Sequence, residues 1–280
     1  MKVVRSIRQM QKLARELSKK GTIGVVPTMG YLHEGHLSLV RRARKAADFV
    51  IATIFVNPTQ FAPSEDLAGY PRDEKGDIRK IAAAAGDIVF IPKRDDMYPS
   101  DFETFVTVEK ITQTLEGKAR PTHFRGVTTI VSKLFNIVRP DIAVFGQKDY
   151  QQAVVIKRMV SDLDFPIKII VAPTVREKDG LAMSSRNKYF SSATRPEAVC
   201  LYKALTEAKR LVRKDGVSSP SKVKRRMVNV ITSICKTAVI DYIEYTDYSS
   251  LAPVKKIGKS TICSLAVRLH GVRLIDNMRM

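Results

Sequence analysis

Continuous apolar runs that alternate with helical patterns are the feature that most constrains how this chain can fold. Five runs are predicted as strands, at residues 22–27, 48–56, 87–92, 141–146 and 167–175. Patterns with a period of 3.6 residues predict helices between them, at residues 35–47, 73–86, 123–138 and 150–163. Such a succession indicates a parallel sheet with helices on both faces. Because crossovers are right-handed, we expect a doubly wound, Rossmann-like α/β sheet whose ligands bind at the carboxyl ends of its strands.

The residues after Val175 follow a different pattern. A polar loop, "REKDGLAMSSRNKYFS", opens this region. Two helices and two partly alternating strands follow it, at about 193–214, 220–237, 239–248 and 260–271. We therefore predict a smaller α+β domain over residues 176–280, attached to an α/β domain over residues 1–175.

Length and composition exclude several classes of protein. With 280 residues, of which 44% are hydrophobic, the chain can bury a sizeable core. No apolar run reaches the roughly 18 residues that a membrane span needs. The N-terminus is charged and predicts an amphipathic helix rather than a signal peptide; its apolar face comprises Ile7, Met10, Leu13, Ala14 and Leu17. The three cysteines form no C-x-x-C motif, so neither a disulfide framework nor a zinc site is indicated. We expect a cytoplasmic protein without a membrane partner.

The net charge is +20, from 48 Lys and Arg against 28 Asp and Glu. Such an excess can attract either nucleic acid or a small anionic substrate. The densest basic cluster, "KVKRR" at residues 222–226, has no interleaved aromatic side chains for stacking on bases. We predict no nucleic-acid partner, and nothing in the sequence assigns the large excess a role.

The segment "PTMGYLHEGHLSLV", residues 27–40, joins a predicted strand to a predicted helix. A helix that begins near Gly35 presents unpaired N–H groups and a partial positive charge, which suits phosphate. Gly30 and Gly35 allow a ligand to approach the backbone closely. His33 and His36 can face the same phosphates, where neutral imidazoles donate hydrogen bonds. The alternative is that both histidines only cap the helix.

Two further segments contain candidate phosphate ligands. "FGQKDYQQ", residues 145–152, lies where another predicted strand ends, with Gly146, Lys148 and Asp149 at the edge of the sheet. Lys148 provides a flexible positive charge, and Asp149 can accept from a ribose hydroxyl or approach a metal. "GLAMSSRN", residues 180–187, holds two serines and an arginine that can surround phosphates. Surface helix caps or a linker would produce the same patterns.

A fourth segment, "FVNPTQF" at residues 55–61, follows the second predicted strand. Asn57 and Gln60 provide neutral amides at the ligand-binding edge. A neutral amide can orient a carboxylate without the tight pairing of an arginine, which matters if that carboxylate must attack as a nucleophile. A polar turn around Pro58 is the alternative explanation.

Together with "YPRD", "HFRGV" and the closing "RLIDN", these segments resemble pantothenate synthetase (pantoate–β-alanine ligase), in order and spacing, from Pro27 to Asn277. The H-x-G-H element alone is shared with class I aminoacyl-tRNA synthetases and cytidylyltransferases, so the expected sheet is of the nucleotidyltransferase type. The resemblance implies that ATP and (R)-pantoate give pantoyl adenylate and pyrophosphate. β-Alanine then attacks the adenylate to give pantothenate and AMP.

The resemblance also implies roles for individual residues. His36 would act as proton donor, with His33, Lys148 and Arg186 as further catalytic residues. Pantoate would bind Gln60 and Gln152, with Gln60 near β-alanine. Asn57 is a further candidate for this substrate, from its place in the fourth segment. ATP would bind the following residues: Met29, Gly30, Tyr31, Leu32, His33, Glu34, Gly35, His36, Gly146, Gln147, Lys148, Asp149, Val175, Met183, Ser184, Ser185 and Arg186.

The resemblance further implies Mg²⁺, held mainly through the ATP phosphates, and a homodimer. We also expect the smaller domain, residues 176–280, to act as a lid that closes over the phosphates when ATP binds. Three positions depart from the expected pattern: Tyr31 replaces a common alanine, Gln147 a common glutamate and Thr122 a usual glycine. Two other functions remain open at this point. One is a nucleotidyltransferase that uses H-x-G-H without ligating an amine. The other is an RNA-binding protein or a fragment of a tRNA synthetase, although about 105 residues after Val175 leave little room for an anticodon-reading module.

Overall fold

A computed structural model of the chain describes residues 1–61, 67 and 69–280. Within these residues, six strands form one parallel sheet in the order β1-β4-β3-β2-β5-β6. The strands are β1 (Lys2–Val4), β2 (Ile23–Thr28), β3 (Phe49–Ile54), β4 (Ile88–Phe90), β5 (Ile142–Gly146) and β6 (Lys168–Ala172). The predicted doubly wound parallel sheet is confirmed.

Helices cover both faces of this sheet. They are α1 (Ile7–Leu17), α2 (Glu34–Arg44), α3 (Glu74–Ala83), α4 (Arg94–Met97), α5 (Leu115–Ala119), α6 (His123–Val138) and α7 (Tyr150–Asp162). Buried side chains of α1, α6 and α7 share one apolar cluster with the sheet, and those of α2 and α3 pack in two others. The amphipathic α1 is as predicted, since Met10 and Ala14 are fully buried.

The order in which strands are added to the sheet reverses between β2 and β5. From β2 the sheet extends to β3 and β4 on one side, then resumes with β5 and β6 on the other. Connections therefore leave β2 and β5 toward opposite faces and open a crevice at their carboxyl ends, where doubly wound sheets bind ligands. The segment 29–36 follows β2 and the segment 147–149 follows β5, so the topology brings both to this crevice.

A second, antiparallel sheet follows in the chain, with strands β7 (Val239–Asp247), β8 (Thr261–Leu269) and β9 (Val272–Arg279). It packs with helices α8 (Cys200–Arg213) and α9 (Pro220–Ile234) around a core of its own. Four short 3₁₀ helices complete the described elements, at Pro58–Gln60, Gln147–Asp149, Ser185–Tyr189 and Arg195–Val199. The α+β character predicted for the C-terminal region is confirmed, whereas the domain boundary at residue 175 stays a prediction.

The sequence prediction missed two strands. β1 has only three residues at the edge of the sheet, too short for a periodic pattern. β9 was missed because the predicted strand 260–271 runs past Leu269, where β8 ends, and so hides the turn that leads into β9. His270 and Gly271, with φ of 49° and 80°, form a two-residue turn back into β9. Polar Asp276 and Asn277 interrupt the apolar alternation of β9.

Buried polar contacts connect the second sheet to α5 and to the 3₁₀ helix that follows β5. Arg273 of β9 donates to both carboxylate oxygens of Glu116 in α5, each at 2.7 Å, and Tyr242 of β7 donates to Glu116 at 2.9 Å. The side chain of Asn277 donates to the carbonyls of Gln147 and Lys148, both at 2.9 Å. Among the described helices, none combines the length and apolar character needed to cross a bilayer.

Candidate active site

A cleft of about 1050 Å³ opens at the carboxyl ends of β2 and β5 and extends to β9. Its volume is slightly above the roughly 300–1,000 Å³ usual for ligand sites. Residues of all four predicted segments line it, which brings together side chains from positions 29 to 186. The predicted residues that line it are Met29, His33, Gly35, His36, Gln60, Gly146, Lys148, Asp149, Gln152, Val175, Met183, Ser184, Ser185 and Arg186.

The two histidines are fixed at the N-terminus of α2. His33 is the N-cap, and its Nδ1 accepts from the backbone N–H of Gly35 at 3.1 Å. Nδ1 of His36 accepts from the backbone N–H of His33 at 3.4 Å. The rings lie against each other with centroids 4.1 Å apart. Since both Nδ1 atoms accept, each imidazole carries its proton on Nε2 and presents that N–H as a donor.

Gly35 is required by the position of the His33 ring. A Cβ at this residue would lie 2.8 Å from Cε1 and 2.9 Å from Nδ1 of His33. Any side chain would therefore displace the imidazole and break the cap. The glycine explains how two imidazoles fit into a single turn. The N–H groups of Gly35, His36 and Leu37 are already taken by the side chain or carbonyl of His33, so the predicted unpaired N–H groups are not present at these three positions.

Both imidazoles are held neutral. Burial, together with the positive charge of Lys148, lowers the pKa of His33 from 6.5 to about 4. Burial and the neighbouring His33 lower the pKa of His36 to about 3. At neutral pH the pair therefore offers hydrogen-bond donors without adding formal charge.

The cationic part of the cleft surrounds Asp149. Nζ of Lys148 lies 3.6 Å from Oδ1 of Asp149. Burial raises the pKa of Asp149, but the charges of Lys148 and Arg186 outweigh this effect and hold the pKa below its usual value. The Asp149 side chain has protein groups around it, but it is exposed on the side that faces the cleft. Asp149 is consequently ionised and available to a ligand or a metal.

Gln60 is positioned by a residue that does not itself line the cleft. Asn57 is 1% exposed, and its Nδ2 donates to Oε1 of Gln60 at 2.8 Å and to the carbonyl of Gly126 at 3.0 Å. This leaves the NH₂ group of Gln60 to face a ligand. The backbone carbonyl of Gln60 accepts from Nδ1 of His123 at 3.0 Å. The geometry thus places Asn57, predicted beside the substrate, behind Gln60 as its support.

The two adjacent glutamines after Tyr150 have different surroundings. Gln152 lines the cleft, as predicted. Gln151 is buried, and its side chain bonds the backbone of Ile111, Thr114 and Glu116 at 2.8–2.9 Å. Its hydrogen-bonding groups are thus occupied by the protein, and Gln152 is the glutamine of the pair that can bind a ligand.

Five residues predicted to bind ATP lie outside the cleft lining. Leu32 is buried, its N–H donates to Asp77 at 2.7 Å, and its carbonyl accepts from Lys80 at 2.9 Å. Glu34 is exposed and pairs with Arg41 along α2. The other three are Gly30, Tyr31 and Gln147. Tyr31 nevertheless contacts the segment 183–189, which contains the predicted phosphate ligands, because its ring lies under Lys188.

A family model for pantoate–β-alanine ligases matches residues 2–279. The chain belongs to the pantoate–β-alanine ligase family. It is 53% identical to a pantothenate synthetase of Moorella thermoacetica over 280 residues, covering 99% of this chain and 98% of that protein. The crystal structure of pantothenate synthetase from Thermus thermophilus superposes with a TM-score of 0.94 at 42% identity, covering 100% and 99% of the two chains.

A further solved relative is the pantoate–β-alanine ligase of Francisella tularensis, in complex with β-γ ATP and β-alanine. Its TM-score is 0.79 at 35% identity, with coverage of 100% and 97%. Because the family match extends to residue 279, the C-terminal residues belong to the ligase architecture. Membership therefore decides for the ligase over the nucleotidyltransferase and the synthetase fragment.

In this pantoate–β-alanine ligase, the sequence prediction missed the residue that holds the 29–36 loop. Asp77 of α3 is fully buried, and its carboxylate accepts from the N–H of Tyr31 and of Leu32, each at 2.7 Å. Tyr31 has a φ of 53°, a strained value that this anchoring maintains. In the sequence, Asp77 resembles an ordinary acidic residue in the first turn of a helix.

The closing motif of the ligase, "RLIDN", also has a structural role in the cleft. Asp276 is 3% exposed and forms a two-pronged ion pair with Arg176, at 2.6 and 2.9 Å, which anchors the start of the 176–187 loop. Asn277 fixes the backbone of Gln147 and Lys148. In the sequence, the signal that could have indicated this role is the presence of two adjacent polar residues inside an otherwise apolar strand.

The histidine pair gives a pH prediction. His33 and His36 are expected to remain neutral from pH 8 down to about pH 5, because both pKa values lie well below 6.5. With the folded pKa lowered, their contribution to stability is complete above about pH 6.5 and is lost as the pH falls toward 4 and 3. Imidazole ¹⁵N shifts, assigned with His33→Gln and His36→Gln, would measure this. A titration of either ring near pH 6.5 would contradict it.

Proposed function

We propose that the chain joins pantoate to β-alanine in two steps within this one cleft. A carboxylate oxygen of pantoate attacks the α-phosphorus of ATP, and the bond from that phosphorus to pyrophosphate breaks. The amine of β-alanine then attacks the acyl carbon, the bond to AMP breaks, and the amine releases its surplus protons to solvent. The products are pantothenate, AMP and pyrophosphate.

The observation that carries this proposal is the division of the cleft into two chemical regions. One region combines the N-terminus of α2 with two neutral imidazole donors and the charges of Lys148 and Arg186. The other presents the amides of Gln60 and Gln152. The first suits a triphosphate, and the second suits a hydroxy acid whose carboxylate must stay reactive.

Charge on the departing pyrophosphate is what the first region would stabilise. His33 and His36 donate from Nε2, and Lys148 and Arg186 contribute fixed positive charge. Preorganised donors of this kind act where charge develops, and positioning supplies much of the remaining rate in phosphoryl chemistry. Since His36 is neutral at pH 7, its role is donation of a hydrogen bond to the leaving oxygen rather than delivery of a full charge.

The remaining predicted contacts follow the same division. Gln60, held by Asn57, would donate its NH₂ group to pantoate, and Gln152 would bind the same substrate from α7. Val175 lines the cleft and would lie near the adenine, as the family resemblance implies; its carbonyl accepts from the N–H of Met183 at 3.0 Å. Ser184 and Ser185 would reach the phosphates beside Arg186.

Mg²⁺ is expected with ATP, and the residues present fit it. Asp149 is an ionised carboxylate open to the cleft, which is the hard oxygen ligand that Mg²⁺ prefers. It would hold the ion together with the phosphates. When bound, the ion would reduce the electrostatic repulsion between the triphosphate and the incoming carboxylate.

Omission of substrates tests the proposed reaction. Labelled pyrophosphate should exchange into ATP when pantoate is present and β-alanine is absent, and AMP should accumulate in multiple turnovers only with all three substrates. Exchange that requires β-alanine would exclude the two-step order. AMP release that is independent of pantoate would exclude the substrate assignment.

Closure of the 183–189 segment over the phosphates is a second part of the proposal. This segment contacts the 29–36 loop through Lys188, whose Nζ lies 4.1 Å from the centre of the Tyr31 ring. It also contacts Tyr70, which is hydrogen-bonded by Ser185. The polar contacts of Glu116 and Asn277 fix the second sheet against the first, so they favour movement of this short segment over rotation of all of residues 176–280.

Lys188→Met is expected to raise the KM for ATP about 2- to 5-fold, because an exposed cation–π contact contributes about 0.5–1 kcal/mol. The KM for β-alanine should change little. Hydrogen exchange of the 183–189 amides should increase in the same variant. Lys178→Met is the matched control, since it removes the same charge from an exposed position of the neighbouring turn. Equal effects of both variants would show that only net charge matters.

The assembly and the location are also proposed. We expect a homodimer, which sedimentation velocity would test, and the cytoplasm as the place of action, where ATP is available. The basic surface is proposed to serve anionic substrates. Nucleic-acid affinity that persists at physiological salt would argue against that role.

A further inference from the structure

Three side chains of types that bind transition metals converge in the C-terminal region. Glu197 comes from the 3₁₀ helix Arg195–Val199, Cys235 follows α9 directly, and His270 stands in the turn between β8 and β9. One donor atom of each lies within 4.8 Å of the other two. Sequence spacing gave no sign of this cluster, because its members are 35 to 73 residues apart along the chain.

The contacts point to a common centre. Nε2 of His270 lies 2.8 Å from Oε2 of Glu197 and 3.9 Å from Sγ of Cys235. Cys235 and Glu197 are also hydrogen-bonded. A nucleophile relay would use the two different nitrogens of the imidazole, one toward the thiol and one toward the carboxylate. Here both partners face the same nitrogen, which is the arrangement of ligands around an ion.

Burial allows an ion to enter and be retained. Cys235 is fully buried and is not in a disulfide. The side chains of His270 and Glu197 are 32% and 35% exposed. An ion can therefore enter between the imidazole and the carboxylate and reach the thiol at the bottom of the site.

The ligands are held by ordered backbone. The N–H of Cys235 donates to the carbonyl of Ile231 at 2.9 Å, which ends α9. His270 is placed by the two-residue turn in which Leu269 pairs with Val272. Oγ1 of Thr237 lies 3.5 Å from Sγ of Cys235 and can donate to a thiolate.

We propose that Glu197, Cys235 and His270 bind one thiophilic divalent cation of the Zn²⁺ type, with water at a fourth position. Thiolate, imidazole and carboxylate are the ligands that Zn²⁺ takes in tetrahedral sites. Zinc–ligand bonds of about 2.0–2.3 Å place donor atoms about 3.3–3.6 Å apart. The separations of His270 from Glu197 and from Cys235, 2.8 and 3.9 Å, therefore need to change by about half an ångström.

The proton balance of binding is simple. The Cys235 thiol loses its proton to solvent as the metal–sulfur bond forms, and His270 binds through Nε2 with its own proton on Nδ1. Thiolate and carboxylate together neutralise the two positive charges of the ion. Binding would link the end of α9 to the β8–β9 turn and to the 3₁₀ helix before α8, so it would stabilise the folded state.

Co²⁺ is a suitable probe because a thiolate ligand gives a charge-transfer absorbance in the near ultraviolet. The full chain, first treated with chelator, should develop this band with one equivalent of CoCl₂, and Zn²⁺ should abolish it by displacement. ZnCl₂ at about 100 times its Kd should raise the Tm by about 5–10 °C. The thiolate band distinguishes this site from metal bound at His33 and His36.

Variants make the assignment specific. Cys235→Ala should remove the band and the Tm rise, whereas Cys263→Ala, at another fully buried free cysteine, should retain both. His270→Gln alters a half-exposed turn and should weaken Co²⁺ binding at least about tenfold while leaving the fold intact. Absence of the band in the wild-type chain, or its persistence in Cys235→Ala, would overturn the proposal.

Discussion

His36→Ala is expected to slow adenylate formation about 10²- to 10³-fold, because loss of one preorganised donor to a developing oxyanion has an effect of this size. The Kd for ATP should change by less than about tenfold. The imidazole is neutral in the ground state, so its hydrogen bond strengthens mainly as charge moves onto the leaving pyrophosphate. Single-turnover formation of pantoyl adenylate, compared with ATP binding by calorimetry, separates the two quantities.

Two companion variants distinguish donation from helix capping. His36→Gln retains an N–H donor that can reach the same region and should recover part of the lost rate. His33→Ala removes the N-cap bond to Gly35 and should lower stability by about 1 kcal/mol in addition to its effect on the rate. A near-native adenylation rate for His36→Ala would show that the imidazole only supports the turn.

The parts of the fold that could be predicted from sequence are those with a local pattern. β2, β3 and β5 are continuous apolar runs, and the amphipathic α1 buries residues at helical spacing, so each pattern is visible within one segment. The rule for parallel sheets then places the segments after β2 and β5 at the same edge, and the cleft lies there. Local pattern and general topology were together sufficient for the position of the site.

The features that escaped prediction depend on partners distant in sequence. Asp77 reaches back 45 and 46 residues to the N–H groups of Leu32 and Tyr31. Asn57 faces Gly126 across 69 residues instead of facing a ligand. The periodicity of a sequence does not show whether a polar side chain points into the cleft or lies behind it, because its direction depends on the tertiary packing of both partners.

Asp77→Ala is expected to destabilise the fold by about 2–4 kcal/mol and to inactivate the enzyme. The substitution leaves two buried N–H groups, of Tyr31 and Leu32, without an acceptor, and each such group costs about 1–3 kcal/mol. The expected loss is reduced because burial raises the pKa of Asp77, which shows that keeping this carboxylate ionised is itself unfavourable. Urea denaturation measures the change.

Asp77→Asn separates the position of the loop from the stability of the fold. The asparagine removes the buried charge and can still accept from one N–H group, so its cost in stability should be less than half that of Asp77→Ala. Its amide NH₂ group, however, faces the other backbone N–H group. Both are donors, so no hydrogen bond forms between them. The 29–36 loop must then shift, and a displacement of about 1 Å at a catalytic group can reduce the rate about 10²-fold.

The matched control for Asp77→Asn is Asp73→Asn, next to the same helix. Asp73 caps α3 by accepting from the N–H of Gly76 at 3.0 Å, and it lies 3.9 Å from Lys80, as Asp77 does. Its substitution therefore removes the same charge near the same lysine without touching the bonds that hold Tyr31 and Leu32. Adenylation should fall at least about tenfold in Asp77→Asn and stay near native in Asp73→Asn. Equal losses would mean that charge near Lys80, and not the anchoring of Tyr31 and Leu32, is what the histidine pair requires.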